Sequence, residues 1–527
     1  MERFIQRHQP SVTGVLSGFD RIRFRGTLRL IANERGLGAL LGYLGVLLKD
    51  FKDYAMSLSE RLKEASLAVA EAAGRPVRYL ASALTCKEEL ARRIASEDRI
   101  GSGLICVLTA VEPCWSFHVR RDPEQKKLVL ESSWRKCLHL YHYHVHPVLG
   151  FMHARVQSWF PFNLHVCING REWLARRMDR AGLAYRRREN CFTHLADPTE
   201  AQRLFDEQLT TDFAAMLHGI VPLVHPADRQ MFPRRPVDRY WSADETEWAS
   251  DVMFKDHATL AALYPRLVRH GMQNLASRDV LRFLGRKVPA SPGGGGGGGG
   301  GVHGNFTGEV VSDLKCRPEG LRIKHRVNAN SIKMYDKQGS VLRVETTIND
   351  TRQFKVFRTP AGKRGAKPSW QKMRKGVADL HRRARVSQAA NGRYLDAMAD
   401  VEDKTPLRRL VEPLCRAVNF KGRPVRALNP LSPADAALLA HVARGEFTLN
   451  GFRNRDLRAL LFPTHSSDPA EQRRRGGKIT RLLRLLRAHG LIHKISKTHR
   501  YQLTRGGRTT ITALLAAREA DIVKLAA

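Results

Sequence analysis

The chain has no hydrophobic run long enough to cross a membrane, and no apolar stretch follows Met1-Glu2-Arg3-Phe4 as a secretory leader requires. A cytoplasmic protein with no membrane partner is therefore expected. Cysteine is sparse and scattered. The eight residues are Cys86, Cys106, Cys114, Cys137, Cys167, Cys191, Cys316 and Cys415, and no CxxC pair occurs. That argues against a disulfide framework and against a zinc ribbon. A Walker A loop, a dinucleotide glycine fingerprint and an HExxH word are all missing. Acidic residues are also short, 51 against 89 Lys and Arg, which leaves a net charge of +38. Such an imbalance says little about fold but favours a polyanionic partner.

With 527 residues the chain is long enough for about three domains. The reading divides it into an N-terminal mixed domain, 1–220, with a mainly antiparallel sheet, and a mostly helical segment, 221–288. A glycine-rich linker, 289–304, follows, marked by the unbroken run 293–301. A β-hairpin and basic-helix block, 305–425, precedes a helical C-terminal module, 430–527. The class is α+β.

Within the first block, Asp20 to Leu30 (DRIRFRGTLRL) alternates cleanly. Ile22, Phe24, Leu28 and Leu30 take one face; Arg21, Arg23, Arg25 and Arg29 take the other, as a solvated or a phosphate-facing row. Strands are expected at 103–111, 116–120, 127–131 and 136–146. A hairpin is expected at 151–158 and 163–168, then a helix from Arg171 to Ala181 and a strand at Tyr185–Arg188. His153, Arg155 and Gln157 share a face. Residues 198–217 and 246–285 read as helices, as does the basic stretch 369–386.

Residues 319–358 alternate with period two almost throughout. Ile332 and Met334 share one face; Lys333, Tyr335 and Lys337 share the other. Opposed residues in an antiparallel pair point to the same side. A three-residue loop Gln338-Gly339-Ser340 keeps the faces consistent, pairing Tyr335 with Arg343 and placing Lys333 against Glu345. The hairpin then carries an open polar platform of Lys333, Tyr335, Lys337, Arg343 and Glu345.

The C-terminal module is the most legible part. Ser432-Pro433 starts a helix to about Arg444, Asn454 to Leu461 forms a second, and Glu471 to His489 forms a third. Ile479, Leu482, Leu483 and Leu486 make the buried stripe of the third. Arg473, Arg474, Arg475, Lys478, Arg481 and Arg484 cover its start and outer faces. A hairpin at 491–496 and 501–504 carries Lys497 and Arg500 at its tip. The words LLRAHGLIHKI and HRYQLTRGGR resemble the recognition helix and wing of MarR-like winged helix-turn-helix modules. That resemblance implies DNA binding through the listed cations. In such a module, helix side chains that reach base edges set sequence preference, and phosphate contacts do not.

The words SIKMYDK and LRVETTI resemble a pattern in rolling-circle replication initiators of the plasmid Rep_trans type and related phage and conjugative initiators. In that family a tyrosine attacks a DNA phosphate while carboxylates hold a divalent metal. The resemblance implies Tyr335 as nucleophile, Glu345 as an acidic metal position, Lys333 and Arg343 as activating cations, and Mg²⁺ or Mn²⁺ as cofactor. A phenol titrates near pH ~10, so neighbouring positive charge is what such a nucleophile needs. Glu345 alone cannot hold the ion: a carboxylate from elsewhere in the chain, or an imidazole from the His142–His146 strand, must lie within reach to complete the site. In CLHLYHYHVH, His142, His144 and His146 fall on one strand face. They are either a metal-binding row or ordinary face residues. The functional expectation is a DNA-binding protein of a mobile-element or replication type that nicks or joins DNA. The competing class is a non-enzymatic regulator or architectural nucleic-acid binder, with RNA open as a partner of the N-terminal block.

Overall fold

The structure is a computed structural model. It describes residues 1–82, 84–233, 237–275, 277–285, 310–317, 320–360, 365–399, 406–444, 447, 451–464, 466–495 and 498–519. The glycine run 293–301 and Lys497 lie outside the described residues. The class is mixed α+β with a large, mostly antiparallel sheet of eleven strands. No helix among the described residues is long and apolar enough to cross a membrane. The chain divides into two compact units that interleave along the sequence.

The first unit comprises Gly14–Met253 and Glu345–Gln388. Its strands are β1 (Val12–Leu28), β2 (Val77–Tyr79), β3 (Gly103–Arg121), β4 (Leu128–His146), β5 (Gly150–Gln157), β6 (Leu164–Asn169), β7 (Tyr185–Arg188), β8 (Cys191–Leu195) and β9 (Arg239–Phe254). Hydrogen bonding orders them β9-β1-β6-β5-β4-β3-β2, with β7 and β8 a separate pair. The hairpin expected at 151–168 is present, with Met152 opposite Ile168 and Arg155 opposite His165.

Asn169 ends β6 and caps the helix Gly170–Ala181, its side chain accepting from Arg171 N and Glu172 N at 2.8 and 3.2 Å. Such caps contribute about 1 kcal/mol each. Trp173, Leu174 and Met178 of that helix are fully buried. On β3 and β4, Ile105, Cys106, Leu108, Tyr141 and Tyr143 receive Leu90, Ala91 and Ile94 of the helix Lys87–Glu97.

Five expectations fail in this unit. The separate strands at 127–131 and 136–146 are one long β4, and those at 103–111 and 116–120 are one long β3. It runs through Pro113, which an edge tolerates because no partner there needs its missing N–H. Residues 198–217 form two helices, Pro198–Asp206 and Phe213–Val224, the second started by Asp212, whose side chain accepts from Ala215 N at 3.0 Å. The expected helix from residue 246 begins as β9, whose residues are buried on both faces, so the period-two signal is erased. The basic stretch 369–386 opens as a strand, Ser369–Lys372, paired with Lys355–Arg358; Trp370 faces Phe357, and the helix begins only at Leu380.

The second unit comprises Met1–Thr13, Phe254–Val344 and Ala389–Ala527. It carries β10 (Val310–Arg317), β11 (Gly320–Val327), β12 (Asn330–Lys337) and most of β13 (Val341–Ile348). Gln338 and Gly339 both adopt positive φ in the loop between β12 and β13. A Cβ on Gly339 would sit 2.2 Å from the His257 ring, so the position requires glycine sterically as well. The helix His257–Gln273 packs here, and Tyr264 Oη donates to the Leu321 and Met334 carbonyls at 2.5 and 3.3 Å.

The C-terminal residues of this unit form a core of their own, including Leu438, Leu439, Leu457, Ile479, Leu483, Leu486, Ile492 and Leu503. The helix Pro433–Val442 is followed by the strand Phe452–Arg453 and the helices Asn454–Leu461 and Pro469–Ala488. The strands Ile492–Lys494 and Arg500–Leu503 come next. Phe452–Arg453 pairs with Arg500–Leu503, which pairs with Ile492–Lys494.

Candidate metal centre

Asp20 on β1, Glu247 on β9 and Glu345 on β13 converge within the first unit. One carboxylate oxygen from each lies within 4.8 Å of the others, and all three side chains are buried. Three carboxylates gathered at this spacing repel unless cations or hydrogen-bond donors hold them. Asn190 Nδ2 donates to both Asp20 oxygens at 2.9 Å. Arg171 Nε stands 3.6 Å from Asp20, and its Nη2 is 2.8 Å from Asp251. Arg21 reaches Glu247 at 3.1 Å and Glu245 at 3.0 Å. Burial works against the Arg21 charge, and Glu247 and Glu245 more than offset it, so its pKa lies above the ordinary arginine value. Thr347 Oγ1 lies 3.4 Å from Glu247 and 3.5 Å from Glu345.

The donors are hard oxygens, which suit Mg²⁺ or Mn²⁺ rather than a soft metal. Of the two kinds of partner expected for Glu345, the structure brings carboxylates within reach and not the His142–His146 imidazoles. Sequence reasoning found Glu345 but missed Asp20 and Glu247. The pair Glu245 and Glu247, two apart in an acid-poor chain, was the available signal, hidden by the helical reading of that stretch.

The polar platform of the hairpin is not open. Lys333, Lys337, Arg343 and Glu345 are buried and Tyr335 is half-buried, while Ile332, Met334, Leu342 and Val344 are fully buried as well. Alternation separates two faces but does not say that the polar one meets solvent. In the β11–β12 register Tyr335 faces Arg322 and Lys333 faces Lys324. The Arg21, Arg23 and Arg25 row is partly exposed and pairs with acids: Arg23 with Glu245 at 3.8 Å and Arg25 with Asp244 at 3.0 Å.

Among the described residues, His142, His144 and His146 are not gathered into a metal-binding group. His142 is buried with Nε2 at 3.0 Å from Ser66 Oγ and 3.1 Å from the Ser66 carbonyl. His146 Nδ1 accepts from Val148 N and Leu149 N, so it shapes the turn after β4. His144 is buried, and burial first, then His142, pushes its pKa down to about 3. Residues two apart on a strand project side by side, and here Ser66 and the turn after β4 already engage His142 Nε2 and His146 Nδ1, while His142 Nδ1 and His144 Nε2 make no hydrogen bond.

On the C-terminal helix Arg473, Arg474, Lys478 and Arg481 are exposed, and Arg475 and Arg484 half-buried. Arg474 and Arg475 both pair with Glu471, at 2.7 and 2.8 Å, and Arg475 and Lys478 approach the Phe462 ring. Arg500 lies opposite Arg453. Arg453, Asn454, Arg455, Thr480, His499 and Tyr501 line one groove, and none of them was among the expected DNA-binding residues. Compared with known protein families, curated proteins and solved structures, the chain finds no match.

Proposed function

We propose that the chain is a DNA-binding, metal-dependent strand-processing protein of the mobile-element or replication type. The observation that carries this is the convergence of Asp20, Glu247 and Glu345 from three strands. A divalent cation held there would polarise a phosphodiester and stabilise the charge that develops on it. The resemblance of SIKMYDK and LRVETTI to rolling-circle initiators supports a tyrosine nucleophile, Tyr335, with Arg322 opposite it as one activating cation. Attack by its oxygen on phosphorus would break the P–O bond to the leaving hydroxyl. The resulting phosphotyrosine link conserves the energy for rejoining.

The DNA contact is assigned to the C-terminal module. Its order of helix, strand, two helices and two strands supports the winged helix-turn-helix reading, and its cations lie on the helix Pro469–Ala488. Net charge +38 supports a polyanion as partner. Affinity should fall steeply with salt through counterion release.

The test uses the full chain with labelled single- and double-stranded DNA and Mn²⁺ or Mg²⁺. Cleavage should require the metal. Asp20→Asn and Glu345→Gln should each slow it by at least about 100-fold while salt-sensitive binding persists. Tyr335→Phe should abolish a covalent adduct. Cleavage that survives Tyr335→Phe makes water the nucleophile. Binding without any metal-dependent cleavage leaves the regulator or architectural reading.

A further inference from the structure

Away from the carboxylates, the first unit holds a second cluster of different chemistry. In the β3–β4 register Glu112 faces Cys137 and Cys114 faces Arg135, so Cys114 and Cys137 are diagonal neighbours on one face. Their sulfurs are 3.1 Å apart. His139, two residues along β4, brings a ring nitrogen within 4.8 Å of both. His139 is fully buried. Neither of its nitrogens makes a hydrogen bond of normal geometry, although the Cys137 carbonyl is close enough to favour the protonated ring slightly. A buried imidazole without a partner is a costly arrangement that native structures avoid, and a metal ion satisfies it.

Burial first, then Arg155, pushes the His139 pKa down to about 4. The thiols share a hydrogen bond that lowers the Cys114 pKa and raises that of Cys137, with burial opposing ionisation of both and Arg155 favouring it. A disulfide is the bland alternative. It needs about 2.05 Å between sulfurs and would leave His139 as unsatisfied as before.

We propose that Cys114, Cys137 and His139 bind a borderline-soft cation of the Zn²⁺ class, with its fourth position open. Two thiolates and an imidazole select such an ion over Mg²⁺. Glu112 is not the fourth ligand, because Tyr141 Oη donates to it at 2.5 Å and Lys87 Nζ lies 2.8 Å away.

The position gives the ion a task. β2 pairs with β3 only as far as Thr109, and β5 pairs with β4 only from His139 onward. Beyond those points β3 and β4 continue as a ribbon paired to each other and tied at 115–117 to Gln157, Trp159 and Phe160; it carries the edge-to-face pair Trp115 and Trp134, 47% and 69% exposed. Two-stranded ribbons are marginal by themselves. A metal at Cys114, Cys137 and His139 cross-links the two strands at the ribbon's root.

The test titrates Co²⁺ into the reduced, metal-stripped full chain. One equivalent should give thiolate charge-transfer and tetrahedral ligand-field bands, displaced by Zn²⁺ and indifferent to Mg²⁺. Carboxylates alone give no thiolate band, so the acidic centre cannot mimic the result. His139→Ala should weaken the bands, and Cys114→Ser with Cys137→Ser should remove them. Should those variants misfold, alkylation of the wild-type chain decides. Zn²⁺ should protect Cys114 and Cys137 while the exposed Cys86, Cys316 and Cys415 react as before. Absent bands, bands retained in the double variant, or equal alkylation with and without Zn²⁺ would overturn the site.

Discussion

Arg171 offers the sharpest test of how the carboxylates are held together. Its side chain is fully buried, as is that of Asp251, and the two meet at 2.8 Å. The guanidinium also faces the carbonyls of Gly18 and Phe19 at 3.5 Å each and stands 3.6 Å from Asp20. Replacing Arg171 with Met keeps much of the apolar stem but strands Asp251 beside Asp20 without their shared cation. Removing one member of a buried pair costs about 3–5 kcal/mol, because the remaining charge keeps its desolvation cost and loses its compensation. Asp251→Asn should cost less, since the guanidinium retains Asp20 and both carbonyls. The double variant Arg171→Met with Asp251→Asn removes both charges and should recover at least half of the single loss. The assay is urea unfolding followed by tryptophan fluorescence, with Trp173 and Trp248 as buried reporters in this unit. An Arg171→Met loss below about 1 kcal/mol, the range of exposed pairs, would refute the reasoning. So would a double variant as unstable as the sum of the singles, because additivity would mean the two side chains are not coupled.

Acid should destabilise the first unit. Burial holds His142 at a pKa of about 4, against 6.5 when unfolded, so its contribution is complete above pH 6.5 and is lost as pH falls toward 4. The slope is about 1.4 kcal/mol per pH unit for one such group, and His142→Gln should flatten it in pH-dependent unfolding; an unchanged slope sinks the assignment. In the C-terminal module Arg481→Ala with Arg484→Ala should flatten sequence selectivity in a random-site selection and weaken overall binding less, since phosphate contacts elsewhere remain; an unchanged consensus refutes their role.

What the sequence disclosed depended on how each element is covered. The helices Asn454–Leu461 and Pro469–Ala488 could be read because each has one buried and one open side, so a 3.6 period survives, whereas Pro433–Val442 was legible through its cap. Ser432 even caps as expected, accepting from Asp435 N at 3.3 Å. The strand Tyr185–Arg188 matched its expected ends. β9 could not be read, because burial on both faces leaves no alternation, and Trp241, Ala243, Trp248 and Ala249 suit a helix equally well. Glu247 disappeared with it. Asp20 was on the page as the first residue of an obvious strand, yet its partners lie on strands more than two hundred residues downstream. Only the adjacency β13-β9-β1 joins them. The histidine row shows another limit: alternation puts the three on one face, but it does not declare that Ser66 already meets His142 Nε2.

The arginine that stabilises the acidic centre would compete with any ion for it, and under the proposed function this competition predicts a coupling of metal to DNA. Arg21 sits 3.1 Å from Glu247 and 3.0 Å from Glu245, and its charge is fixed firmly enough that it will not leave by losing its proton. A cation binding Glu247 therefore meets the Arg21 guanidinium and must displace it or share the carboxylate. The side chain is 44% exposed, so it has somewhere to turn. A DNA phosphate is the partner that would take it, since a guanidinium forks onto phosphate as it does onto carboxylate. Phosphate binding then frees Glu247 for the metal, and the metal frees Arg21 for phosphate. Coupling between two equilibria is reciprocal, so each ligand must tighten the other by the same factor. Mn²⁺ affinity, followed by the paramagnetic resonance of the free ion, should rise on adding DNA, by roughly 5–150-fold if the coupling is of ordinary size. Arg21→Gln should do two things together: raise Mn²⁺ affinity without DNA, and shrink the gain that DNA brings. An Mn²⁺ affinity unmoved by DNA in the wild-type chain, or a gain that survives intact in Arg21→Gln, would show that this arginine is a structural counter-ion and nothing more.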